Sequence, residues 1–204
     1  MIRIIGLCKT FDQGPRQPPL GEESPGKQVL ADVCLAIDGP AVLMGPSGQG
    51  KTTLLRILMG LETPDAGRIE GLEGRRIAAM FQEDRLCPQL TAADNICLTG
   101  RGVTRAQARE ELRALGFADA DLKTPAGRLS GGQKRRAALL RALLCRGADL
   151  LLLDEPFTGM DDALVDRAAA AVVRLAAGRD TLLVTHDHAA ARLLGWPVLT
   201  LDQN

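Results

Sequence analysis

Short apolar runs alternate with longer amphipathic stretches along the 204 residues of the chain. Ile2-Arg3-Ile4-Ile5 and Val33-Cys34-Leu35-Ala36-Ile37 read as N-terminal strands, and Ala41-Val42-Leu43-Met44 as a short buried one. Leu150-Leu151-Leu152-Leu153 and Thr181-Leu182-Leu183-Val184-Thr185 are continuous apolar runs of strand length, the pattern of strands covered on both faces of a parallel sheet. Between these runs the period changes. Thr53 to Met59 has helical character, and Thr91 to Arg146 reads as mainly helical. Within it, Arg105 to Leu115 is rich in good helix formers behind Thr104 as a cap, and Gln133 opens a helical stretch through Leu144. Strands alternating with helices predict an α/β fold.

One stretch fits neither pattern. Asp12 to Lys27 carries Pro15, Pro18, Pro19 and Pro25 and too few apolar residues to pack, so an extended exposed loop is expected there. A partner contact and a neutral insertion are both open as its purpose.

The chemistry sits at the ends of the apolar runs. Gly45-Pro46-Ser47-Gly48-Gln49-Gly50-Lys51-Thr52 matches the phosphate-loop pattern G-x-x-x-x-G-K-[ST] at every fixed position, with a strand before it and a helix after it. Glycines let successive backbone N–H groups turn toward a polyphosphate, the helix N-terminus adds partial positive charge, and Lys51 adds a full one. Thr52 is placed to offer its hydroxyl to Mg²⁺. Gly45 to Thr53, Thr53 included, are therefore the candidate nucleoside triphosphate ligands. About a hundred residues later, Leu150 to Leu153 ends in Asp154-Glu155. A carboxylate just past a central parallel strand faces the crevice where ligands of open α/β sheets collect. Asp154 can then orient Mg²⁺, and Glu155 can polarise an attacking water. The competing reading makes the two acids a cap and first-turn pair of a following helix. His186 follows the Thr181 to Thr185 run, whose C-terminal end points to the same crevice. His186 and His188 also have the i, i+2 spacing of a metal pair, but no cysteine or third histidine lies nearby; His188 reads as the start of the next helix.

Leu129-Ser130-Gly131-Gly132-Gln133 lies between the two halves of this site, and with it the sequence resembles the ATP-binding cassette (ABC) ATPase family. Gln82 in Met80-Phe81-Gln82-Glu83 looks like the family's Q-loop, Asp161 in Thr158-Gly159-Met160-Asp161 like its D-loop, and His186 like its switch histidine. Gly60 to Ile69 follows the family's pattern after the first helix. The resemblance covers almost the whole chain. It implies a P-loop NTPase fold, with a RecA-like core, N-terminal antiparallel strands and an inserted α-helical subdomain. The expected division is one ABC ATPase domain over 1–204, with a nucleotide-binding core at about 1–82 and 148–204 and the helical subdomain at about 83–147. By the same resemblance Gln82, Glu155 and His186 are the catalytic residues, and Thr52, Gln82 and Asp154 surround Mg²⁺. Ser130, Gly131, Gly132 and Gln133 cover the ATP of a second subunit, and Phe11, at the end of the first strand, stacks on adenine. Ser130 and its paired glycines are also readable directly as an anion-binding helix start. The family's connection at 12–27 is a tight hairpin, and this chain departs from it.

Composition narrows the partners. Lys plus Arg and Asp plus Glu are 25 each, so no global field favours nucleic acid or anionic lipid. Lys134-Arg135-Arg136 reads as a solvated helix face. Five scattered cysteines without C-x-x-C spacing suit free thiols in a reducing compartment. No apolar stretch approaches the roughly 20 residues of a membrane span, and the N-terminus lacks a signal-peptide core. The chain stops soon after Val198 to Leu201, so no regulatory C-terminal domain is expected. The resemblance therefore implies an ATPase subunit, cytoplasmic and peripheral on the inner face of the cell membrane, that uses ATP and Mg²⁺. Its implied partners are a second cassette and a separate permease chain, without direct nucleic-acid or solute contact. The segment Glu83 to Thr91 would accept a helix of the permease, and its pattern looks most like the ATPases of nitrate, sulfonate and taurine importers. The alternatives are a soluble ABC ATPase that acts without a permease and a nucleotide-binding module that no longer hydrolyses; intact Lys51, Asp154, Glu155 and His186 argue against the second.

Overall fold

Two sheets and six helices enclose two apolar clusters, one on each face of the parallel sheet, in the computed structural model, which describes residues 1–11 and 26–201. Strands β1 (Ile2–Phe11), β2 (Lys27–Ile37) and β4 (Ala66–Glu70) form an antiparallel sheet in the order β2-β1-β4. Strands β3 (Pro40–Met44), β5 (Ile77–Met80), β6 (Leu150–Asp154), β7 (Asp180–Val184) and β8 (Val198–Thr200) form a parallel sheet in the order β5-β6-β7-β3-β8. The helices are α1 (Lys51–Leu58), α2 (Ala92–Thr99), α3 (Arg105–Ala114), α4 (Gly131–Leu143), α5 (Asp162–Ala176) and α6 (His188–Leu194).

The continuous apolar runs explain the layering. In β6, Leu151 and Leu153 join the cluster shared with α2 to α6, while Leu150 and Leu152 join the cluster shared with α1 and the antiparallel sheet. All four are fully buried. Side chains alternate faces along a strand, so only a strand apolar at every position can serve both clusters. β3 behaves alike, with Val42 and Met44 on one side and Ala41 and Leu43 on the other.

The N-terminal strands are longer than their apolar runs. β1 extends to Phe11 and β2 begins at Lys27, with Phe11 opposite Lys27 in register. Lys27, expected in the proline-rich loop, is therefore a strand residue, because cross-strand hydrogen bonds continue a hairpin ladder past the end of apolar patterning. The remaining call on that stretch falls on residues 12–25, outside the described residues. Asp65 secures the end of β1: its carboxylate accepts the Thr10 N–H at 2.6 Å and pairs with Lys9 at 3.2 Å. Those two contacts hold its pKa below the ordinary value, the backbone N–H contributing most.

The helical segment packs its apolar side chains into one cluster with β5 and β6. Thr104 and Gln107 form a reciprocal capping box at the start of α3. Arg174 of α5 grips Glu111 of α3 through two hydrogen bonds of 2.9 and 2.6 Å. α4 buries Ala137, Ala138, Leu139, Leu140, Ala142 and Leu143, in one cluster with β5 and β6. The middle of β6 is thus the structural keel. Leu152→Ala should leave a cavity that its paired neighbours cannot close and cost about 3 kcal/mol. Urea unfolding should show a lower midpoint at unchanged slope.

Candidate nucleotide site

β3 delivers the glycine loop. Gly50 precedes α1 in the left-handed region at φ 93°, and a Cβ there would meet Leu30 Cδ2 and the Val29 carbonyl oxygen, each at 2.6 Å. Only glycine fits both the dihedral and the space. Lys51 opens the helix and is buried, its Nζ donating to the Gly45 and Pro46 carbonyls at 2.6 and 2.7 Å. The ammonium therefore lies within the arc of the loop. Gln49 donates from Nε2 to the Leu201 carbonyl at 2.9 Å, tying the loop to the end of β8.

The acids arrive from the neighbouring strand ends. Thr52 donates from Oγ1 to Asp154 Oδ2 at 2.9 Å, across 102 positions of sequence. Asp154 is buried, and desolvation raises its pKa against the opposing hydrogen bond from Thr52. Glu155 follows with its backbone in the left-handed region at φ 48°. Its N–H is held by the Val184 carbonyl at 2.9 Å. Its Oε2 accepts from Thr185 Oγ1 at 3.2 Å, and Oε1 lies 2.8 Å from His186 Nδ1. No helix starts at this acid pair; the cap of α5 is Asp161, whose Oδ1 accepts the Leu164 N–H at 2.9 Å. His188 opens α6, capped by Asp187.

Part of this set lines one cavity of about 370 Å³, while Gly45, Pro46, Gln49, Thr185 and His186 stand outside its lining. Ser47, Gly48, Gly50, Lys51, Thr52 and Thr53 contribute from the loop and α1. Asp154, Glu155 and Gln82 contribute from the ends of β6 and β5, and Phe11, Lys27 and Val29 from the hairpin. Lys9 stands 5.2 Å from the centre of the Phe11 ring. A hydroxyl, a buried carboxylate and an amide oxygen form the all-oxygen set that a hard divalent cation prefers. Burial raises the pKa of Asp154 despite the hydrogen bond from Thr52, and a cation held there would favour its charged form.

Ser130 caps α4 and forms a reciprocal box with Gln133. Its hydroxyl takes the Gln133 N–H and Gln133 Oε1 takes the Ser130 N–H. The first-turn N–H groups of Gly131 and Gly132 make no hydrogen bond among the described residues. Nothing lies within 4 Å of a Cβ built on Gly131. The signature motif thus presents two backbone donors at an open helix end.

Three side chains carry more than their sequence pattern suggested. Arg135, expected on a solvated face, is 6% exposed, because its guanidinium spans several main-chain acceptors inside the protein. Asn95 is fully buried: it accepts the Cys87 N–H at 2.8 Å and donates to the Cys87 and Thr91 carbonyls at 3.1 and 3.0 Å, bracing the segment that follows Gln82. Asp65 anchors the strand that ends in Phe11. A lone arginine, asparagine or aspartate carries no periodic signal; only the buried carbonyls around it make it legible.

A phosphate-binding loop and an acid-tipped parallel strand that meet in one crevice define a P-loop nucleotide hydrolase. The family model described as ABC transporter matches residues 32–158. The chain is 46% identical over 209 residues to the aliphatic sulfonates import ATP-binding protein SsuB 1 of Nocardia farcinica, covering 99% of this chain and 78% of that protein. It is 35% identical to the taurine import ATP-binding protein TauB of Pseudomonas aeruginosa, covering 86% of this chain and 72% of that one. Its fold superposes at a TM-score of 0.78 on the dimeric post-hydrolysis state of the ATP-binding cassette MJ0796 bound to ADP and Pi. That match has 27% identity and covers 100% of this chain and 95% of the other. The chain belongs to the ABC transporter ATPase family.

The contact between Glu155 and His186 has a titration signature. The carboxylate favours the imidazolium, chiefly through their hydrogen bond and then through charge, so the pKa of His186 lies above the ordinary imidazole value. Because the folded-state pKa is the raised one, the ion pair's contribution is complete below the unfolded-state value and is lost as pH rises through the folded one. In Glu155→Gln the NMR titration midpoint of the His186 ring should fall toward the ordinary value. An unmoved midpoint would show that the two side chains do not meet in solution.

Proposed function

We propose that this chain hydrolyses ATP to energise a membrane importer, working as one of a pair of cassettes on the cytoplasmic face of the membrane. The observation that carries this reading is the convergence of Lys51, Thr52, Asp154 and Glu155 on one cavity, with His186 held against Glu155. Lys51 and the backbone N–H groups of the loop take the β- and γ-phosphates, where a buried ammonium acts in low dielectric. Thr52, Asp154 and Gln82 would hold Mg²⁺, which supplies charge neutralisation at the phosphate oxygens.

Glu155 orients and polarises the attacking water. Thr185 and His186 fix both of its oxygens, so the carboxylate is pre-set rather than free to rotate, and phosphoryl transfer rewards such positioning. His186, drawn toward its protonated form, presents a donor to the γ-phosphate. Phe11 receives the adenine on its face. Gly131 and Gly132 of one copy offer their free N–H groups to the nucleotide held by the other, an arrangement supported by the dimeric state of the MJ0796 cassette. ATP binding then closes the pair and hydrolysis reopens it, and the permease takes up that motion at the segment after Gln82. The relatives named for sulfonate and taurine import support the importer direction and suggest an organosulfonate as the solute of the permease. No helix among the described residues is long and apolar enough to cross a membrane.

Glu155→Gln keeps the hydrogen-bonding shape but removes the charge that polarises water. With ATP and Mg²⁺ it should accumulate as a closed dimer on size-exclusion chromatography, while turnover disappears. Normal turnover in this variant would remove Glu155 from its role. The permease half of the reading is checked by co-purification of tagged full-length chain with a multispanning membrane protein.

Stacking of a base on an aromatic ring contributes about 1–3 kcal/mol. Phe11→Ala should therefore weaken ATP binding by roughly tenfold or more, and Phe11→Tyr should leave it nearly intact. Wild-type affinity in a folded Phe11→Ala protein would assign the base to another surface.

A further inference from the structure

Arg135 stands one turn beyond the signature cap, on α4, and points away from solvent. Its Nη1 donates to the Phe81 and Gln82 carbonyls, both at 2.8 Å, and reaches Asp84 Oδ1 at 3.3 Å. Its Nη2 donates to the Glu155 carbonyl at 2.7 Å and to the Asp154 carbonyl. One planar cation thus joins three pieces of chain: the signature helix, the end of β5 with the residues after it, and the end of β6. On the same helix Arg141 donates to the carbonyls of Asp84 and Arg85 at 2.9 and 2.6 Å, so α4 holds the segment after β5 at two points.

We infer that Arg135 is a positioning residue for hydrolysis, fixing the Glu155 peptide and the Gln82 backbone to the signature helix so that the helix and the water-polarising carboxylate move as one body. Glu155 carries a side chain at φ 48°, a backbone conformation that an L-residue leaves unless its peptide is held. Its N–H is held by Val184, and its carbonyl by Arg135 at 2.7 Å and, more loosely, by the Thr158 N–H at 3.4 Å. Without the guanidinium, the carbonyl keeps only the longer bond from the Thr158 N–H at 3.4 Å and the peptide can relax, swinging the carboxylate away from Thr185 and His186. A fork with several N–H donors in one plane can span carbonyls on two strand ends, whereas the compact ammonium of lysine reaches only part of that set. In a head-to-tail pair, the helix whose first turn faces the nucleotide of the other copy would be rigidly tied to the hydrolytic carboxylate of its own. Arg135 does not line the cavity, and the tie acts only through the residues it holds.

This rests on the role given to Glu155, so the test runs Arg135→Gln, Arg135→Lys and Glu155→Gln in parallel on the full chain, with ATP as the probe. Arg135→Gln should lower kcat by about tenfold to a hundredfold, the scale of a misplaced catalytic group, while ATP affinity and KM stay within about threefold. Arg135→Lys should recover part of kcat. A residue that merely holds the fold together would instead lower kcat, ATP affinity and the thermal midpoint together, with no recovery by lysine, and that pattern would overturn the proposal. So would a folded Arg135→Gln protein with kcat within about twofold of wild type. Should Arg135→Gln not fold, Arg135→Lys must show the same separation of kcat from affinity, and wild-type kcat there would overturn the proposal. Normal turnover in Glu155→Gln overturns the role of Glu155 itself; a dead Glu155→Gln beside a fully active Arg135→Gln overturns only the Arg135 proposal.

Discussion

Parallel alignment of β3, β6 and β7 is the constraint from which the site follows. β6 pairs with β7 and β7 with β3, all in the same direction, so their carboxyl ends open on one edge of the sheet. The glycine loop leaves β3 there, Asp154 and Glu155 leave β6, and Thr185 and His186 leave β7. Parallel strands need crossover connections, which here supply α1 through α5. The 2.9 Å bond from Thr52 to Asp154 closes the crevice between the first and second of those strand ends. Had any one of the three run the other way, its chemistry would sit at the opposite edge.

Burial then sets the electrostatics of that edge. Lys51, Asp154 and Arg135 are all nearly inaccessible, and charges so placed cost much unless partnered. Lys51 meets this with the Gly45 and Pro46 carbonyls and Arg135 with backbone carbonyls and Asp84, which lets cations sit inside without pairing with the Asp154 or Glu155 side chains. Asp154 is left with its pKa raised by burial, a carboxylate that gains from a further positive charge. His186 is different in kind. It is largely exposed, and its raised pKa comes from contact with Glu155. A solvent-facing imidazole gripped by a partly buried carboxylate can change its charge without unfolding its surroundings.

α4 connects the two halves of the chemistry. Its first turn is the signature motif, with its capping box and two N–H groups that have no partner among the described residues; one turn later Arg135 enters the interior, and the helix ends against Arg179, which donates to the Leu143 carbonyl at 2.9 Å. A helix buried along most of its length moves as a unit. The apolar cluster of α4 runs without interruption into β5 and β6, so the helix shares its interior with the strand ends it serves.

The phosphate loop, the acid-tipped strand and the helix-opening signature were legible in the sequence because each is a local pattern whose spacing reflects a physical need. Glycines must stand where the loop closes on phosphate, apolar residues must fill every position of a strand buried twice, and a cap must precede a helix. The alternative that made Asp154-Glu155 a helix cap could be settled only in three dimensions, where the cap falls instead to Asp161. Tertiary structure alone also decided that β1 and β2 run on to Phe11 and Lys27, that Asp65 anchors the strand end and Asn95 the segment after Gln82, and that Arg135 is an internal clamp rather than a surface charge. These depend on which carbonyls and N–H groups lie within about 3 Å after folding. A single charged or amide side chain has no period by which to announce itself. Sequence determines which groups are present and which way each element faces; the buried backbone around them determines what they hold.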